Sequence, residues 1–285
     1  MAAESRVDHH REDSRMSTRK ELILRDIDTR GLGLEIGPSH NPVAPKRDGF
    51  QVHVMDHLTR EGLVEKYKDH GVQLDNIEEV DFVWSGQSFK ELTGGTCQYD
   101  WIIASHVIEH TPDLIAFLNE CESILKPGGV LSLAVPDKRY CFDRFRPVTG
   151  LGKIIDAHLA KDTIHSPGNV AEYYMNVVAK DGRIAWSGNE PGDYRFLHGL
   201  SNASCGIQIV REQRAYLDIH AWCFVPHSFR LLVQDLHALK FIHLQECTFL
   251  PTVGHEFFMT LSKRAAFPEA TRMELVLAAE KDLLG

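Results

Sequence analysis

The chain has 285 residues, 43% of them hydrophobic and 25% charged, enough for one large α/β domain with an insertion or for two small domains. Forty acidic residues against 31 basic ones leave a net charge of −9, which disfavours a surface that tracks nucleic-acid phosphates. No apolar run approaches the roughly 18 residues of a membrane span, and the charged N-terminus carries no hydrophobic signal core, so a cytoplasmic protein away from the membrane is expected.

Residues 1–20 are polar and charge-dense and read as a disordered leader, with a short entry helix over Glu21–Thr29. Leu32–Ile36 is a buried strand that stops at Gly37 and turns into the loop Pro38-Ser39-His40-Asn41. Phe50–Asp56 is a second strand that ends on a carboxylate. A glycine without a Cβ lets backbone N–H groups approach a ligand, and an acid at the end of the next strand can take both hydroxyls of a ribose, so the pair marks a nucleotide site. The dinucleotide pattern G-x-G-x-x-G is absent, because Ser39 and Asn41 stand where its later glycines belong, and this argues against a nicotinamide-dependent oxidoreductase.

Thr59 caps a helix over Arg60–His70, and Ile77–Trp84 reads as a third strand with Val80, Phe82 and Trp84 on one face. An apolar strand, Trp101–Ala104, ends in Ser105-His106. Thr111 then caps a helix with Pro112 at its first position, Lys126-Pro127-Gly128-Gly129 breaks it, and Val130–Val135 is the next buried strand. After a long segment come an amphipathic helix, Pro226–Leu239, and two strands, Phe241–Leu250 and His255–Ser262. A last helix, Pro268–Leu284, carries Met273, Val276, Ala279 and Leu283 on one stripe, suited to docking or to a subunit contact. Six scattered cysteines without a C-x-x-C pair fit reduced thiols, and none of the 16 histidines falls in a metal-ligand spacing, so no metal is expected.

Glu35-Ile36-Gly37, Asp56, Asp100, the His106 to Glu109-His110 turn, Lys126-Pro127-Gly128-Gly129 and the strand into Val135-Pro136 fall in the order of the class I S-adenosylmethionine-dependent methyltransferases, which residues 31–139 resemble. The resemblance implies an α/β fold: a doubly wound, mostly parallel seven-stranded sheet whose last strands form an antiparallel hairpin. It divides the chain into a core of residues 21–139 and 223–263, an inserted lid over 140–222 and a C-terminal helix over 264–285. It implies S-adenosylmethionine as cofactor, held by Glu35, Gly37, Pro38, Ser39, Asn41 and Asp56, with Trp84 and Ser85 beside the adenine and Ser105 and His106 beside the methyl donor. The family's loop carries more glycines, and Asn41 can supply the left-handed backbone that one of them would.

The partner expected is a small polar acceptor methylated on oxygen or nitrogen, with a homo-oligomer also open. A hydroxyl acceptor needs a base of near-neutral pKa. Two histidines suit that role: His106 at the crevice edge, and His220 where the lid returns, with Asp218 two residues away to fix its tautomer. The altered loop leaves a second reading open, a regulatory protein that binds the cofactor without turnover.

Overall fold

Apolar strands joined by helices pair in parallel when each helix carries the chain back to the start of the next strand. In the computed structural model, which describes residues 19–265 and 270–284, five strands do so: β1 (Gly33–Ile36), β2 (Val52–Asp56), β3 (Phe82–Val83), β4 (Tyr99–Ser105) and β5 (Leu125–Pro136). β8 (Gln245–Val253) and β9 (Glu256–Ser262) follow as an antiparallel hairpin, and the sheet order is β3-β2-β1-β4-β5-β9-β8. This is the seven-stranded sheet that the sequence resemblance implies. The strand order reverses between β1 and β4, the place where an open parallel sheet leaves a crevice at its carboxyl ends. Ile36 pairs with Ala104, so the loop after β1 and the Ser105-His106 turn leave the sheet side by side.

Both faces of the sheet are covered. The helices are α1 (Arg60–Tyr67), α2 (Phe89–Thr93), α3 (Leu114–Ile124), α4 (Leu151–Ala160), α5 (Pro167–Asn176), α6 (Leu200–Gln208) and α7 (Pro226–Ala238), and on one face Leu34, Ile36, Ile102, Leu131 and Leu133 pack against α3, α4 and α7. On the other, Val52, Trp101, Ile103 and Phe258 meet Val43, Ala44 and Ile23, the last from a short entry helix over 19–24. The expected leader lies, for residues 1–18, outside the described residues. Among the described residues no helix is long and apolar enough to cross a membrane.

Several boundaries differ from the sequence expectation. The third strand shrinks from 77–84 to Phe82–Val83, because as an edge strand it has one neighbour, and Asp81 turns its carboxylate onto the Val54 N–H at 2.7 Å. Asp113 rather than Thr111 caps α3: its carboxylate accepts from the Ala116 N–H, while the Thr111 hydroxyl donates to the Ile108 carbonyl and closes a 3-10 turn over Ile108–His110. The strand after α3 begins at Leu125, and Lys126–Gly129 bulges out of the register, with the Lys126 ammonium 2.7 Å from Asp100. The C-terminal helix α8 (Arg272–Leu284) buries Leu275, whereas Met273 and Leu283 are exposed; its docking is largely polar, through Asp282 to His227 and Arg139.

Residues 137–225 lie between β5 and α7 and contain α4, α5, α6 and a small separate sheet of β6 (Val178–Lys180) and β7 (Tyr194–Phe196). They return over the carboxyl ends of the main strands: the Ala221 and Trp222 N–H groups donate to the Glu109 carbonyl, the Trp222 indole N–H donates to the Thr111 carbonyl, and the Tyr216 hydroxyl donates to the His110 carbonyl.

Close approach of β1 and β4 depends on Gly33, where an added Cβ falls 2.1 Å from the Trp101 indole. Both flanking layers are buried, so the indole has nowhere to move, and Gly33→Ala is expected to cost about 1–3 kcal/mol of stability as core overpacking does. Urea unfolding checks this, and an unchanged midpoint would show that the contact relaxes.

Candidate active site

The loop after β1 is shaped by two left-handed residues, Gly37 (φ +63°) and Ser39 (φ +53°), and the Gly37 N–H donates to the Met55 carbonyl. Asn41 is not left-handed; it is exposed, and its N–H closes a turn by donating to the Pro38 carbonyl. Buried Glu35 pins the far side of the loop, accepting from the Val43 N–H at 2.6 Å and the Ala44 N–H at 3.0 Å. Burial pushes its pKa up to about 7, against the pull of those two N–H groups and of Arg19 and Lys20. Glu35 is thus a positioning residue for the loop.

Asp56, at the end of β2, is buried beside that loop. One carboxylate oxygen accepts the Ser39 N–H at 3.1 Å; the other accepts the His57 N–H at 2.7 Å and lies 2.6 Å from His57 Nδ1. Its carbonyl receives the Trp84 N–H, so the expected adenine-flanking residues begin next to Asp56, with Trp84 and Ser85 both exposed and both bonded to Gln87. Ser39 Oγ and His40 Nδ1 are buried without a hydrogen-bond partner among the described residues. Two orphaned polar atoms beside a buried acid and Gly37, which has no Cβ, fit a polar ligand in this loop.

Across the crevice, an added Cβ at Gly37 falls 3.1 Å from Val107 Cγ2, which sets the loop directly against the end of β4. Ser105 Oγ accepts from Arg19 at 2.5 Å, Arg19 also pairs with Glu256 at 2.6 Å, and Glu256 reaches His106 Nε2 at 2.9 Å. Burial alone raises the Glu256 carboxyl, but His106 and Arg19 override it and bring the pKa down to about 2. His106, left-handed at φ +54°, turns Nδ1 to 3.6 Å from Oε1 of Glu109.

Glu109 has no exposed surface, and neither carboxylate oxygen accepts a hydrogen bond from the described residues. His220 approaches the same Oε1 from the inserted segment, Nε2 at 3.9 Å. Its Nδ1 is 2.5 Å from Asp143, not from the expected Asp218. Asp218 instead faces away along the chain to His110, 2.9 Å, and Lys66, 3.6 Å. The reason is that residues 214–219 are irregular rather than a strand, so residues two apart do not share a face. Asp143 is held in turn by Arg146 at 2.8 Å, whose Nη1 also donates to the His220 carbonyl. Burial works to raise the Asp143 carboxyl, and His220 and Arg146 outweigh it to bring the pKa to about 2. Burial opposes the charged form of His110, yet Asp218, Glu109 and Asp143 raise its pKa overall. A polar chain therefore runs from Asp56 through His57, Lys66 (3.2 Å from His57 Nε2) and Asp218 to His110.

The sequence matches the model of a methyltransferase domain over residues 7–179. This chain belongs to that family. It is an S-adenosylmethionine-dependent methyltransferase. No curated protein matches it significantly. Solved structures similar to this methyltransferase include the protein of the DhpI-SAM-HEP complex (16% identity over 88% of this chain and 86% of that one, TM-score 0.41). A SAM-dependent methyltransferase from Methanosarcina mazei is similar at 15% (86% and 97%, TM-score 0.40). The 1,6-didemethyltoxoflavin-N1-methyltransferase of Burkholderia thailandensis is similar at 11% (86% and 76%, TM-score 0.41).

Of the residues singled out in the sequence, the fold gathers Glu35, Gly37, Pro38, Ser39 and Asp56 at one side of the crevice, Ser105 and His106 at the other, and His220 above. Trp84, Ser85 and Asn41 lie at its exposed rim. Sequence reasoning assigned no role to Glu109, Asp143 or Arg146. A signal existed for the last two in their i, i+3 spacing of opposite charges just after β5, and none for Glu109 beyond its place in the turn.

Asp143 and Glu256 have ordinary values of 3.8 and 4.5 and fall to about 2 in the fold, so they stabilise it above pH ~4.5 and that contribution is lost as pH drops toward 2. Glu35 acts oppositely: raised from 4.5 to about 7, it makes stability decline as pH climbs through that window. Urea midpoints measured from pH 2.5 to 7 should show a steep acid limb that Asp143→Asn flattens. Parallel acid limbs in the two proteins would remove Asp143 from the account.

Proposed function

We propose that this methyltransferase acts on an oxygen or nitrogen of a small polar acceptor enclosed beneath residues 140–222, and that His106 or His220 takes the acceptor's proton. One observation carries the reading: the two imidazoles, one from the end of β4 and one from the inserted segment, converge on the same buried oxygen of Glu109, at 3.6 and 3.9 Å. The convergence lies beside the loop proposed to hold the cofactor, through the contact of Gly37 with Val107.

When bound, S-adenosylmethionine supplies a methyl group already activated by the positive charge on sulfur. What remains for the chain is to orient the acceptor and remove its proton. Asp56 and the Gly37–Asn41 loop bind the ribose and methionine portions, and Trp84 and Ser85 flank the adenine. Ser105 and His106 stand at the reacting end. A His220 imidazole that donates from Nδ1 to Asp143 presents Nε2, the nitrogen turned toward Glu109, as the position for an acceptor's proton. Tyr216 and Trp222, tied to the His110 and Thr111 carbonyls, close the segment down over the site and favour a small acceptor over a macromolecular one.

Calorimetric titration of S-adenosylmethionine against NAD tests the cofactor, and Asp56→Ala is expected to weaken the former by roughly ten- to a hundredfold in Kd, the loss of hydrogen bonds to a charged group. Unchanged affinity in a folded mutant would remove Asp56 from the site. On a panel of hydroxyl and amine acceptors, at least one of His106→Ala and His220→Ala should lower turnover about a hundredfold or more while cofactor binding stays nearly intact. Wild-type turnover in both would mean that neither is the base, and cofactor binding with no turnover on any acceptor would favour a regulatory role.

A further inference from the structure

The Glu109 carboxylate is wholly enclosed, and both of its oxygens lack a hydrogen-bond partner among the described residues. A carboxylate removed from water needs donors or a counter-charge, and the nearby cations are engaged elsewhere. Arg146 is committed to Asp143 and Glu172, and Lys66 to His57 and Asp218. What surrounds Glu109 instead are ring nitrogens. One ligand atom each from Glu109, His110 and His220 lie within 4.8 Å of one another. Glu109 Oε1 and His220 Nε2 are 3.9 Å apart, too far for a hydrogen bond, but two ligands that share an ion at about 2.0–2.2 Å stand roughly 3–4 Å from each other. His220 also has its second nitrogen bonded to a carboxylate, Nδ1 at 2.5 Å from Asp143, while His110 Nδ1 lies 2.9 Å from Asp218 out of line for a hydrogen bond. Metal-binding histidines are oriented and made more basic in this way.

We propose that Glu109, His110 and His220 bind a divalent transition-metal cation of the zinc or manganese class, with open coordination positions for an acceptor hydroxyl. This rests on the methyltransferase reading above and deepens it, since it assigns oxygen as the methylated atom. Two imidazoles and one carboxylate suit a first-row transition ion better than magnesium or calcium, which take mostly oxygen ligands. His106 stands outside the triad with Nε2 on Glu256, and it is the group left to receive the proton. In the balanced step the acceptor O–H proton passes to His106, the oxygen forms its bond to the methyl carbon, and the carbon–sulfur bond breaks with its electron pair going to sulfur. The absence of a ligand spacing along the chain, which argued against a metal, is accounted for by origin: two ligands are adjacent in a 3-10 turn and the third arrives 110 residues later in the inserted segment.

The test uses the untagged full chain, stripped with a chelator and titrated separately with Zn²⁺, Mn²⁺ and Mg²⁺ by calorimetry, with bound metal counted by elemental analysis. One Zn²⁺ or Mn²⁺ per chain is expected, with Mg²⁺ weaker. Asp143→Asn should weaken it roughly ten- to a hundredfold, as loss of a histidine's carboxylate partner does. Glu109→Gln should weaken it at least as much, and His106→Ala should leave it unchanged. S-adenosylmethionine titration of each variant reports folding independently. No stoichiometric ion on the wild-type chain, or equal affinity in Glu109→Gln, overturns the cation. If the stripped chain binds S-adenosylmethionine and methylates acceptors undiminished, the cation fails and the methyltransferase reading stands. If it binds no S-adenosylmethionine with or without metal, the cofactor assignment is what fails.

Discussion

The parallel pairing of β1 with β4 is the constraint on which the rest depends. Neighbouring strands whose connections leave in opposite directions open a crevice at their carboxyl ends that no crossover helix can fill. Ile36 opposite Ala104 sets the depth of that crevice, and Gly33 against Trp101 sets how closely the strands approach. Everything proposed to bind the cofactor leaves the sheet at this level. The Gly37 loop emerges on one side and Ser105-His106 on the other, and Asp56 stands one strand farther out.

Charge then organises what lies over the crevice. Buried carboxylates in this protein are met by donors: Glu35 by two backbone N–H groups, Asp143 by His220 and Arg146, Glu256 by Arg19 and His106. The Asp143–His220 and Glu256 pairings join segments distant in the chain, because leaving a buried anion unpaired is more costly than ordering the segment that pairs it. Glu109 departs from this pattern at the centre of the crevice. A fold that meets its other buried acids with donors and leaves Glu109 bare among histidines has the composition of a binding site rather than of a packing core.

The inserted segment meets the body of the protein in two ways: α4, Ala221 and Trp222 pack into the main core, whereas a separate small core of Val170, Val210 and Ile219 lies apart from it. Over the centre its contacts are polar, with Tyr216, Asp218 and the Trp222 indole N–H reaching the turn after β4 and the helix after β2. Such contacts can be exchanged for water or for ligand groups at modest cost, which suits the proposed enclosure of an acceptor.

The sequence by itself determined the alternation of strands and helices, because apolar runs with helical and strand periods are local features, and the fold class followed from the family resemblance carried by the motifs set along them in order. It also singled out the two ends of the crevice, Gly37 with Asp56 and Ser105 with His106. Local signals were less reliable at the margins: β3 is short because an edge strand has a single neighbour, and α8 docks through Leu275 and Asp282 rather than along its apolar stripe. Only the tertiary structure decided which acid orients His220. Asp143 lies 77 positions away, whereas Asp218, two positions away, is turned to His110 by an irregular backbone. It alone brought Glu109, His110 and His220 within reach of one another, since the distance between side chains from separate elements is set by how those elements pack and leaves no period or spacing in the sequence.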